Sequence, residues 1–137
     1  GPSGVGKTTV AATILGLIPP LGGAVASRGR LGYLAQDAHI FTTSVAENVK
    51  IGNKDASADQ VTDALARAGL PVDPALAVGE LGSTVSGGEQ RRLAASRLFV
   101  GDYQAIILDE PSEHLDPETA AALLDDLWPR RPARRPW

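Results

Sequence analysis

The 137-residue chain contains no cysteine and no methionine. Without cysteine it has no disulfide framework, no thiolate metal site and no catalytic thiol, which is consistent with a reducing compartment. The absence of an initiator methionine leads us to expect a piece of a longer translated chain. Positive charge is not in excess either. Thirteen Lys and Arg stand against 16 Asp and Glu, for a formal net charge of −3, so nucleic acid is not an expected partner. A run suited to crossing a membrane is also missing. Thr8 to Ser27 carries no charged residue, but Pro19-Pro20 and Gly22-Gly23 interrupt it, and it reads as a buried helix followed by a turn. No secretory signal fits. The length allows at most one domain.

The first residues present are "GPSGVGKTTV". Gly1, Gly6, Lys7 and Thr8 satisfy G-x-x-x-x-G-K-[ST], with a further glycine at Gly4. Glycines let the backbone bend around an anion and aim successive N–H groups at it, and the following helix adds the positive end of its dipole. Ser3, Thr9 and these residues form the expected phosphate cradle, in which Lys7 reaches the β- and γ-phosphates of ATP and Thr8 offers its hydroxyl to Mg²⁺. The plainer alternative is a glycine-rich turn capping a helix.

The rest of the chain alternates helical and extended patterns. Lys7 to about Leu17 is predicted as a helix ended by the proline pair, and Ala24–Ser27 and Leu31–Ala35 as short strands. Ser44–Val49 is a short helix candidate. Ser57 with Gln60 forms a capping box, Val61, Ala64, Leu65 and Ala68 share a face, and Gly69 closes that helix. Another helix runs from about Gly87 to Val100. "QAIILDEP" is a short apolar run ending in two carboxylates, as in a buried parallel strand whose C-terminal tip faces a ligand. Asp116 as N-cap and Pro117 at the first helical position open a last helix to about Trp128. Strands alternating with helices imply an α/β sheet with a helical insertion.

Asp109, at the expected strand tip, is placed to hold Mg²⁺ directly or through water. Glu110 beside it is placed to orient and polarise an attacking water. Alone, "DEP" reads equally well as a strand ending at the surface; the phosphate loop ahead of it favours chemistry.

With these residues in view the chain resembles the ATP-binding cassette (ABC) family. "VSGGEQRRLAASRLF" resembles the family's signature sequence and stands shortly before "IILDEP". The phosphate loop, Gln36 in "YLAQD", the signature, the Asp109–Glu110 pair and "HLD" ending at Asp116 follow the family's order over residues 1–116. Glu89 stands where the family usually has glutamine. The resemblance implies a P-loop NTPase core of parallel strands with a helical signature subdomain at about 44–100, incomplete at both ends. It implies one partial domain over 1–128. ATP and Mg²⁺ are the implied cofactors, with Thr8, Gln36 and Asp109 at the metal and Glu110 and Gln36 at the hydrolytic water.

Ser86, Gly87, Gly88 and Glu89 open a helix, so a hydroxyl and bare N–H groups can face an anion. In the family such a signature closes over ATP held by a second cassette docked head to tail, which makes another nucleotide-binding domain the expected partner. "AVGELGSTVSGGEQ", with Glu80, and "QDAHIFTTSVAENVKIGN" resemble exporter segments that meet the membrane subunit. A transmembrane exporter domain is therefore a second expected partner, and the cytoplasmic face of the plasma membrane the expected location. "LAQDAHIF" with "DEPSEHLD" is most similar to the thiol exporters of cytochrome bd assembly.

The ends depart from the family. The strand that carries the phosphate loop and the aromatic residue stacked on adenine are not in the sequence. Where the family has a strand ending in a switch histidine, four arginines and three prolines stand between Pro129 and Trp137, a composition that cannot form a central strand. Residues 129–137 read as a disordered tail, or alternatively as a basic arm. His39 and His114 read as loop residues. The remaining alternatives are a remnant that binds nucleotide weakly and a soluble ABC ATPase of DNA repair or translation.

Overall fold

The computed structural model describes residues 6–80 and 86–109, together with positions 117, 118, 121 and 125, which are helical. Asp116, His114, most of the expected last helix and the tail at 129–137 lie outside the described residues.

Helix α1 (Lys7–Ile14) follows Gly6, whose φ of 83° is left-handed and costs a glycine nothing sterically. The proline pair does not end it. The Gly16 N–H donates to the Thr13 carbonyl at 3.1 Å and the Leu17 N–H to the Ala12 carbonyl at 2.9 Å, with Gly16 at φ 74°. This pattern satisfies the last carbonyls two residues before any proline is reached. Helix α3 (Ala58–Arg67) ends the same way, at Gly69 with φ 69°. It starts with the expected capping box of Ser57 and Gln60, and Val61, Ala64, Leu65 and Ala68 are all buried.

Two parallel strands, β1 (Leu31–Leu34) and β2 (Ala105–Leu108), pair in register from Leu31↔Ala105 to Leu34↔Leu108. Ala24–Ser27 does not form the expected strand. Pairing opens only where the Gln104 N–H meets the Arg30 carbonyl, and among the described residues no strand lies beside 24–27 to supply a ladder. Parallel neighbours need a long crossover. Here it comprises helix α2 (Val45–Lys50), α3, a 3₁₀ turn at Val78–Glu80 and helix α4 (Gly87–Val100).

Helix α4 joins the two parts of the core. Leu93 and Val100 pack with Val45, Val49, Val61, Leu65 and Leu70 from α2, α3 and the turn after α3. On another face of α4, Ala94, Ala95 and Leu98 pack with Leu34 of β1 and the partly buried Ile106 of β2. The helix is thus apolar on two sides, as a helix buried between layers must be. It also approaches α2 closely. A Cβ on Gly52 would collide with the Arg97 carbonyl oxygen.

A buried polar knot holds the loop before α2. Asn48 is fully buried; its amide donates to the carbonyls of Phe41 at 3.0 Å and Ser44 at 3.1 Å, and its Oδ1 accepts from the Phe41 N–H at 2.9 Å. Arg97 of α4 adds bonds to the Asn48 carbonyl, Asn48 Oδ1 and the His39 carbonyl. Burial pushes the Arg97 guanidinium below its ordinary pKa, and the carbonyl and amide oxygens around it offset that desolvation.

Candidate functional site

The sheet is short, so its C-terminal edge consists of two neighbouring exits: Ala35 and Gln36 after β1, and Asp109 after β2. Asp109 is buried at 7 % exposure and is fixed at several points. Its N–H donates to the Leu34 carbonyl at 2.9 Å. Its carbonyl accepts from Arg91 Nη2 at 2.9 Å. Its Oδ2 accepts from Thr8 Oγ1 at 2.7 Å. Burial first, then the negative charge of Asp109, raises the phenol of Tyr33, on β1, above its ordinary pKa.

Thr8 lies in the first turn of α1, next to Lys7, and Thr9 follows on the exposed side. The start of the helix thus meets the tip of β2. Among the described residues no group of three or more His, Cys, Asp or Glu side chains assembles. The donors on offer are one hydroxyl and one carboxylate, both hard oxygens. That set suits Mg²⁺, which keeps waters and substrate phosphates as its other ligands.

Ser86 caps α4: its Oγ accepts from the Glu89 N–H at 3.2 Å, and Glu89 Oε2 accepts from the Ser86 N–H at 2.9 Å. The Ser86 backbone donor, followed by its side chain, holds the Glu89 carboxyl below the usual carboxylate range. Glu89 in place of the family's glutamine therefore completes a capping box. Gln36, Asp37 and Ala38 face Gly87, Gln90 and Arg91 across a cleft of about 170 Å³, so the structure brings Gln36 beside the start of α4. His39 stacks edge-on against Phe41 at 4.6 Å between ring centroids, a loop role as expected. Gly1, Ser3, Gly4 and Glu110 lie outside the described residues.

Residues 1–113 match the ABC transporter family. The chain belongs to that family. It is 34% identical to the glutathione/L-cysteine transport system ATP-binding/permease proteins CydD and CydC of Bacillus subtilis, aligned over 93% and 87% of this chain and 26% and 24% of theirs. It is 33% identical to the mitochondrial iron-sulfur clusters transporter ATM1 of Chaetomium globosum, over 93% of this chain and 24% of that protein. Among solved structures, a bacterial Atm1-family ABC exporter with ATP bound superposes with a TM-score of 0.81 at 27% identity, covering 92% of this chain and 26% of that one. The fold is therefore that of the ABC ATPases, and the chain spans about a quarter of the length of these relatives. No helix of the described residues is long and apolar enough to cross a membrane.

Two residues at the site escaped the sequence reading. Tyr33 looked like part of an apolar strand. Arg91 lay within the signature segment and was given no role of its own, yet 91, 94, 95 and 98 follow the i, i+3, i+4, i+7 spacing of one helix face. Ala94, Ala95 and Leu98 of that face are buried, and so is Arg91.

Proposed function

We propose that this chain is the ATP-binding and ATP-hydrolysing part of an ABC exporter, coupling MgATP binding and hydrolysis to transport across a membrane. The observation that carries this reading is the hydrogen bond between Thr8 Oγ1 and Asp109 Oδ2. It puts the hydroxyl of the phosphate loop and the carboxylate of the β2 tip where one divalent cation can take both oxygens. Mg²⁺, when bound, would neutralise charge on the β- and γ-phosphates. Lys7 and the N–H groups opening α1 bind those phosphates, and Glu110 and Gln36 act on the attacking water, which Glu110 orients and polarises.

In this reading Ser86, Gly87, Gly88 and Glu89 close over ATP held by a second nucleotide-binding domain, identical or different. The transmembrane exporter domain meets the segments around 37–53 and Glu80, which places the chain on the cytoplasmic face of the membrane. For the cargo we propose thiol reductants for cytochrome bd assembly. This rests on "LAQDAHIF" and "DEPSEHLD" and on the likeness to CydD and CydC; overall identity to ATM1 is nearly as high.

The test replaces the matched segment of CydD by this chain and compares parent with Ser86→Arg. A bulky cation at the α4 N-terminus leaves MgATP binding intact and abolishes ATP-dependent association of the two cassettes. Association that survives the substitution removes the signature from its assigned role.

A further inference from the structure

Arg91 sits just over one turn into α4, and its guanidinium is buried at 5 % exposure. Nη1 donates to the carbonyls of Ala35 and Gln36, the latter at 2.9 Å, and Nη2 donates to the carbonyl of Asp109 at 2.9 Å. One planar cation therefore spans the exits of both strands. These carbonyls lie just past the ladder, which ends at Leu34↔Leu108, so without such a donor they would lose a partner at a place where backbone oxygens are partly shielded from water. A guanidinium suits the task because its donors are fixed in one plane, whereas an ammonium is a single point charge.

We infer that Arg91 is a positioning residue, which holds Gln36 and Asp109 in register with the signature helix and thereby sets the cation site formed by Asp109 and Thr8. The inference rests on the proposed reading that this chain binds MgATP at Thr8 and Asp109. Asp109 has its side chain turned to Thr8 and its carbonyl turned to Arg91. Releasing the carbonyl frees the residue to rotate about its backbone, so the carboxylate loses its place while Lys7 and the phosphate loop stay untouched. Groups that support a metal ligand in this way typically change metal affinity by about 10- to 100-fold when removed.

The experiment measures the affinity of the chain for ATP by calorimetry, once with excess Mg²⁺ and once with EDTA, in the parent, Arg91→Met, Arg91→Gln and Lys7→Ala. Met fills the volume without donating, and Gln retains one short donor group. The parent gains affinity with Mg²⁺. In Arg91→Met that gain falls about tenfold while ATP affinity in EDTA stays within about twofold, and Arg91→Gln lies between. Lys7→Ala loses affinity under both conditions. A merely structural role would lower both affinities together, in proportion to the folded fraction seen by circular dichroism. That outcome overturns the inference, as does an unchanged Mg²⁺ gain in Arg91→Met. If neither Arg91 variant folds, Arg91 is a folding residue and the inference also fails. A parent with no Mg²⁺ gain refutes the underlying reading of Thr8 and Asp109, and this inference falls with it.

Discussion

Thr8 and Asp109 are 101 positions apart in the sequence, and their side-chain oxygens are 2.7 Å apart. The first turn of α1 and the first residue past β2 thus share one hydrogen bond. Both groups are ordinary cation ligands, and in the proposed reading one Mg²⁺ would take both oxygens. Thr8→Ala should therefore reduce the Mg²⁺-dependent gain in ATP affinity by about 10-fold or more, while Thr8→Ser, which keeps the hydroxyl, should retain most of it. Fluorescent ATP-analogue titrations at several Mg²⁺ concentrations check this. A full gain in Thr8→Ala would remove the hydroxyl from the metal's shell.

Asn48 ties the 39–44 loop to α2 and gives Arg97 part of its solvation. Asn48→Ala takes the side-chain partner from the part-buried Phe41 N–H, leaves the Phe41 carbonyl with the Thr43 N–H, and weakens the setting of the Arg97 guanidinium. We expect a loss of about 2–3 kcal/mol, read as a lower urea midpoint at constant slope. A shift under about 0.5 kcal/mol would show that water replaces the amide freely.

Glu89 supplies a pH dependence with a definite sign. Its folded-state pKa lies below its unfolded value because Ser86 donates to the carboxylate. Its contribution to the start of α4 is therefore fully present above the ordinary glutamate pKa of about 4.3 and is lost as pH falls through the depressed folded value. Carbon-detected NMR should show Glu89 titrating below the usual range. Ser86→Ala should move it only part of the way back, since the larger cause is the backbone donor, which alanine keeps. A Glu89 that titrates at the ordinary value would mean the box is open in solution.

Much of this arrangement was legible in the sequence where local chemistry decides it. The capping box at Ser57, the helix start at Ser86, the glycine stop at Gly69 and the apolar run of β2 each depend on residues within one turn or one strand. The strand expected at Ala24–Ser27 failed because a strand is made by its neighbour, and local propensity cannot supply one. The early stop of α1 was missed because Gly16 was passed over for the more conspicuous proline pair. Arg91 was not singled out: it lies between Gln90 and Arg92 in the signature segment, and only helix spacing places it inward. The meeting of Thr8 with Asp109 follows from motif order under the family resemblance; composition and periodicity carry no sign of it.

The central claim, that this chain binds MgATP through its phosphate loop, is tested most directly by calorimetric titration of MgATP into the parent chain and Lys7→Ala. Lys7 supplies a cation at the opening of α1, where the proposed reading docks the β- and γ-phosphates. The account predicts saturable binding of one nucleotide per chain in the parent and, in Lys7→Ala, affinity lowered by about 10-fold or more, a charge-assisted bond of about 1.5–3 kcal/mol being lost. Equal binding by the two proteins, or a parent that does not bind at all, would contradict it.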